Sequence, residues 1–126
     1  MNKFLLLLAL FSSIGTIYAH KRTTMQGCPP QAMEKKYGDK GKTNVETKKN
    51  AIGGAVRCCG EDWKVSGRAP WICVSPKSCN EYVTYEKAEE ICKGLGKELC
   101  TKQQMTIGGC CGTGCKFDSK ATWIRN

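Results

Sequence analysis

Ten of the 126 residues are cysteine: Cys28, Cys58, Cys59, Cys73, Cys79, Cys92, Cys100, Cys110, Cys111 and Cys115. A thiol can cross-link, bind a metal or attack an electrophile, and its neighbours in the sequence decide between these uses. Zinc sites draw on closely spaced Cys or His pairs, whereas this chain has no C-x2-C pair and a single histidine, His20. A nucleophilic thiol or hydroxyl needs a base beside it, and no cysteine–histidine pairing, GxSxG run or HExxH run is present. Cross-linking is the use that remains. The even count and the density of cysteine in so short a chain predict five disulfides and no metal or cofactor. Adjacent side chains diverge, so Cys58-Cys59 and Cys110-Cys111 should each send two bridges in different directions. A Cys73–Cys79 bridge would staple a small loop. The remaining pairings stay open, since connectivity does not follow from sequence.

Other residues that invite a chemical reading do not sustain one. The run Gly38 to Thr43 has the GKT of a phosphate loop, but Lys36 stands where that pattern needs its first glycine. His20 would follow the cleavage site discussed below, yet a copper site built on it would need a second histidine. Glu89 and Glu90 are neighbours that point apart on a helix, the usual sign of a solvated face. The sequence therefore points to a non-enzymatic protein with no catalytic residues.

The cysteines must be held by short elements. Thr84 is a helix cap, Glu86 suits the first turn and Lys93-Gly94 the last, while Ala88, Ile91, Cys92 and Leu95 recur on one face of a 3.6-residue period. Thr101 and Gln104 have capping-box spacing and open a second, short helix over Lys102 to Met105. Glycines 108, 109, 112 and 114 then enclose Cys110, Cys111 and Cys115 in a cross-linked loop, and Phe117 to Ile124 suits a closing strand with Trp123 covering the core. Upstream, Ala55 to Cys59 begins a strand, Gly60 to Asp62 forms a turn, Trp63 and Val65 continue as a hairpin partner, Gly67 to Pro70 turn again, and Trp71 to Val74 form a strand. The expected class is α+β: a small disulfide-rich domain with one main helix and a short second helix on short antiparallel strands.

The run from Ala88 through Cys92, Gly96 and Leu99-Cys100-Thr101, with a short helix, a cysteine-rich turn and late Trp123, resembles the two-helix region of C-type-lectin-like domains. Arg57-Cys58-Cys59, Cys110 to Cys115 as CCGTGC, Phe117-Asp118-Ser119 and Trp123 also resemble a secreted cysteine-rich domain of marine invertebrates and algae, over roughly Ala55 to Trp123. The resemblance implies an extracellular location and a partly C-type-lectin-like fold. Calcium-dependent members carry EPN or QPD and then WND, none of which is present here, so it implies no calcium site.

Residues 1–19 read as a secretory signal, with Lys3, the apolar stretch Phe4 to Phe11 and a cleavage site after Ala19. Residues 20–54 read as a basic, largely flexible arm tethered at Cys28, and 55–126 as the cysteine-rich domain. The net charge is +9, with eight Lys or Arg against three Asp or Glu in His20 to Asn50 and eleven against eight beyond it. The arm lysines Lys35, Lys36, Lys40, Lys42, Lys48 and Lys49 are therefore the expected contacts for a sulfated polyanion, with Gly112 to Lys116 a second candidate surface. Export leaves little opportunity for nucleic acid, and no later stretch is apolar and long enough to span a bilayer. Two functions stay open: a secreted recognition or extracellular-matrix module that binds a protein or glycan surface without calcium, or a cationic effector of the antimicrobial or venom type.

Overall fold

The computed structural model describes residues 22–38, 45–61 and 71–125. The expected signal at 1–19, His20, Lys40, Lys42, Trp63, Val65 and the turn from Gly67 to Pro70 lie outside the described residues. In chain order the elements are β1 (Thr23–Gln26), α1 (Pro30–Tyr37), β2 (Cys58–Glu61), β3 (Trp71–Val74), α2 (Tyr85–Gly94), β4 (Glu98–Leu99), α3 (Lys102–Ile107), a 3-10 turn (Phe117–Ser119) and β5 (Ala121–Ile124). This is a small α+β, disulfide-rich architecture of short antiparallel strands.

β1 and β5 pair antiparallel, with Thr24 opposite Trp123 and Gln26 opposite Ala121. A second sheet runs β3-β2-β4, with Cys58 opposite both Val74 and Leu99. Ala55 joins the two sheets, donating to Ala121 at 2.8 Å and accepting from Trp123 at 3.0 Å. The expected turn at Gly60 does not form. Gly60 and Glu61 continue β2 because Ile72 and Trp71 of β3 lie directly opposite them.

Both predicted helix starts form as their residues dictate. The Thr84 hydroxyl accepts from the Lys87 amide at 3.2 Å. Thr101 and Gln104 close a full capping box, with bonds of 2.8 and 3.2 Å, and α3 runs two residues beyond Met105. On α2 the buried residues are Tyr85, Ala88 and Cys92. Leu95 is 49% exposed and does not join that face, because the helix ends at Gly94 and Leu95 already belongs to the turn.

The basic arm is the larger correction. Met25, Cys28 and Met33 are buried, α1 extends over two turns, and β1 forms a full ladder with β5. Arg22 lies over the Tyr85 ring, 4.1 Å from its centroid, and Lys48 exchanges backbone hydrogen bonds with Thr24 at 2.9 and 3.0 Å. Residues 22–38 and 45–54 are thus part of the packed body, which does not begin at Ala55. Few large apolar residues are needed for this, because β1 hydrogen-bonds a strand whose Trp123 already fills the core. That indole is 1% exposed, donates to the Val83 carbonyl at 2.7 Å and meets Tyr85 edge-on at 5.6 Å.

Candidate functional site

All ten cysteines are paired, as Cys28–Cys111, Cys58–Cys92, Cys59–Cys100, Cys73–Cys110 and Cys79–Cys115. Each vicinal pair does send its bridges in two directions. The expected Cys73–Cys79 staple does not form. Cys73 faces inward opposite Cys59, while Cys79, on an exposed turn with φ 46°, reaches Cys115. Sulfur concentrates in one place, since the Sγ atoms of Cys59, Cys73, Cys100 and Cys110 all lie within 4.8 Å of one another.

A second feature ties Arg57-Cys58-Cys59 to Phe117-Asp118-Ser119 through the buried Arg57 and the half-buried Asp118. Arg57 is 0% exposed and donates to Asp118 Oδ1 at 2.8 Å, the Gly27 carbonyl at 2.9 Å and Ser75 Oγ at 3.1 Å. Asp118 also accepts from the Gly112 amide at 3.0 Å and from the Tyr37 hydroxyl at 3.1 Å. Burial draws the Arg57 pKa down, and the bond and charge of Asp118 oppose it. Burial also pushes the Asp118 carboxyl up, but the Gly112 amide and the Arg57 guanidinium outweigh it and hold the group below its ordinary value. With every strong donor already committed, this cluster is suited to joining β1, α1 and the cysteine-rich turn. A charged residue inside the apolar run Ala55 to Cys59 is the sequence signal that a buried counter-ion must exist.

The groove most suited to a ligand lies elsewhere, where the edges of β1 and β5 meet the start of α3 and residues 47–49. It encloses about 540 Å³. Met25 and Ile124 supply an apolar floor, Thr23, Thr47, Thr101 and Gln103 polar walls, and Lys49, Lys102 and Arg125 three cations, with no carboxylate among the described residues of the lining. Local folding explains the positions of Lys102 and Arg125. The capping box starts α3 at Lys102, and Arg125 is set beside it by a parallel bridge to Thr101, its amide donating to the Cys100 carbonyl at 2.8 Å. Arg125 is partly compensated by Glu98 at 3.3 Å, whereas Lys49 and Lys102 are exposed.

The expected lysines therefore divide. Lys49 lines the groove, and Lys48 lies next to it in the bridge to Thr24. Lys35 and Lys36 sit beside Ile107 and Gly108 at the other end of α3, and Lys36 donates to the Cys111 carbonyl at 2.6 Å. Lys40 and Lys42 are outside the described residues. The surface from Gly112 to Lys116 is a shallow depression that includes Asp118, whose carboxylate is engaged by Arg57 and Gly112. Sequence reasoning missed Lys102, Arg125, Met25 and Ile124, which become neighbours only when the two ends of the chain pair. No helix among the described residues is long and apolar enough to cross a membrane. Comparison with protein-family models, curated proteins and solved structures finds no match to the chain.

Proposed function

We propose that the protein is a secreted, non-enzymatic recognition module that binds a sulfated glycan chain, without calcium, in the groove between β1, β5 and α3. The observation that carries this reading is the lining itself: among the described residues it has three cations, no carboxylate, and an apolar floor of Met25 and Ile124. A sulfated saccharide presents anionic groups around a ring whose C–H face is apolar, so both parts of the lining find a partner. The chain's charge of +9 favours encounter with such a polymer. Five disulfides suit an oxidising, extracellular location. The C-type-lectin-like likeness belongs to the same reading, with its two capped helices and late tryptophan. Against a membrane-disrupting effector stands the mixed charge of α2, whose outer face pairs Lys87 with Glu90 at 3.6 Å.

The test is calorimetric titration of the mature chain with a heparin oligosaccharide and with its desulfated counterpart. Exposed charge contacts contribute about 0.5–1 kcal/mol each, so Lys49→Ala with Lys102→Ala should weaken binding about five- to thirtyfold. Replacing Lys77 and Lys87, which do not line the groove, should leave it unchanged. Equal affinity of the groove variant, or equal binding of the desulfated chain, would overturn the reading.

A further inference from the structure

The four clustered sulfurs are arranged for more than two cross-links. Cys59 and Cys73 are register partners on β2 and β3, Cys100 follows β4, whose Glu98 is paired with Cys59, and Cys110 sits in the turn after α3. Across the two disulfides the Sγ separations are 3.5 Å for Cys100 to Cys110, 3.6 Å for Cys73 to Cys100 and 3.9 Å for Cys59 to Cys110. A tetrahedral zinc tetrathiolate with Zn–S of about 2.3 Å has sulfur–sulfur edges of about 3.8 Å. Three of its six edges are therefore already close to the required length, and all four atoms fall within 4.8 Å. On reduction the two bonded pairs need only relax apart. Among the described residues no other group of three or more Cys, His, Asp or Glu side chains converges in this way.

We propose that these four cysteines form a redox-gated metal site: two disulfides when oxidised, a tetrathiolate site for a thiophilic cation such as Zn2+ when reduced. The surroundings suit a soft ion. Met25, Met105 and Ile124 pack around the four sulfurs in one buried cluster, which keeps competing water away. The four ligands are presented by β2, β3, the residue that follows β4 and the turn after α3.

The chemistry balances with a dithiol as reductant. Two dithiols deliver four electrons and four protons, each protein S–S bond becomes two thiols, and each dithiol closes to its own disulfide. Binding Zn2+ then forms four Zn–S bonds and releases four protons, so affinity must rise with pH. Oxidation reverses the sequence and expels the ion, because the same four sulfurs cannot be bonded to one another and to the metal. The metal-bound form would belong to a reducing compartment, the disulfide form to the exterior. The lack of C-x2-C spacing hid this possibility in the sequence, since the ligands come from four separate segments.

The experiment reduces the mature full-length chain anaerobically with a phosphine, which becomes the phosphine oxide and does not compete for the metal. Co2+ is then titrated in as a spectroscopic stand-in for Zn2+. One Co2+ per chain should bind, with the sulfur-to-metal charge transfer of a tetrathiolate, and Zn2+ should displace it. Alkylation of the Zn2+-loaded chain followed by peptide mapping should spare Cys59, Cys73, Cys100 and Cys110 and label the other six cysteines. Cys59→Ser should lower Co2+ affinity at least about tenfold, whereas Cys79→Ser, in the exposed bridge, should change it less than about twofold. No Co2+ binding, protection of a different set of thiols, or equal losses in the two variants would overturn the proposal. The protection pattern is read on the unsubstituted chain, so it stands even if a variant misfolds.

Discussion

Cys59 and Cys73 lie directly opposite each other across β2 and β3, yet each bonds to a residue beyond the hairpin, Cys100 and Cys110 respectively. The hairpin is thereby sewn to the second half of the chain and not to itself. Non-reducing digestion and mass spectrometry should recover Cys28 linked to Cys111, Cys79 linked to Cys115, and no free thiol. A Cys73–Cys79 peptide would contradict the fold.

Pairing of the buried Arg57 with the half-buried Asp118 predicts a large cost for losing the carboxylate. Asp118→Ala leaves Arg57 uncompensated at 0% exposure, and breaking such a pair costs about 3 kcal/mol or more. Urea unfolding checks this, and a loss below about 1 kcal/mol would show that Arg57 finds another partner.

The same pair sets an acid limb. The folded pKa of Asp118 lies below the ordinary value of 3.8, so the unfolded chain takes up the proton first as pH falls. The contribution is fully present above about pH 5, erodes below the ordinary value and is gone once pH passes below the folded pKa. Thermal midpoints of the wild type should therefore fall more steeply below about pH 5 than those of Asp118→Asn. Parallel curves would remove Asp118 from the account.

Much of this was legible in the sequence where a single segment carried its own instruction. Thr84, Thr101 and Gln104 announce helix starts because a cap is a local hydrogen bond. The vicinal cysteines announce divergent bridges because adjacent side chains cannot point the same way. Long-range features were hidden for the opposite reason. β1 reads as part of a lysine-rich arm because Thr23 and Gln26 gain their place only by pairing with Ile124 and Ala121, about a hundred residues away. The groove inherits that distance, since Met25, Lys102 and Arg125 come together only once the chain ends have paired.

That correction has its own test. A chain beginning at Ala55, with Cys111→Ser to remove the orphaned thiol, should lose near-ultraviolet circular dichroism from Trp123 and Tyr85, because β5 loses its only ladder partner among the described residues. Retention of that signal and of the thermal midpoint would restore the arm to a dispensable tail.

Calcium should be irrelevant to both fold and ligand binding. Among the described residues no cluster of three or more carboxylates converges on one point, and hard divalent cations need such oxygen-rich sets. A calcium chelator should leave the thermal midpoint and the proposed heparin binding of the oxidised protein unchanged; a marked fall in either would reveal a site.

Methyl nuclear magnetic resonance of the protein titrated with a heparin oligosaccharide tests the proposed occupancy of the groove directly. Met25 and Ile124 report from the floor, and the amides of Thr101, Lys102 and Arg125 report from the rim. Saturable shifts are expected at these five residues, reversed by added salt, as screening over about 8–10 Å requires. Shifts confined to Lys35, Lys36 and the turn from Gly112 to Lys116, with Met25 and Ile124 unmoved, would place the ligand on a different face and contradict it.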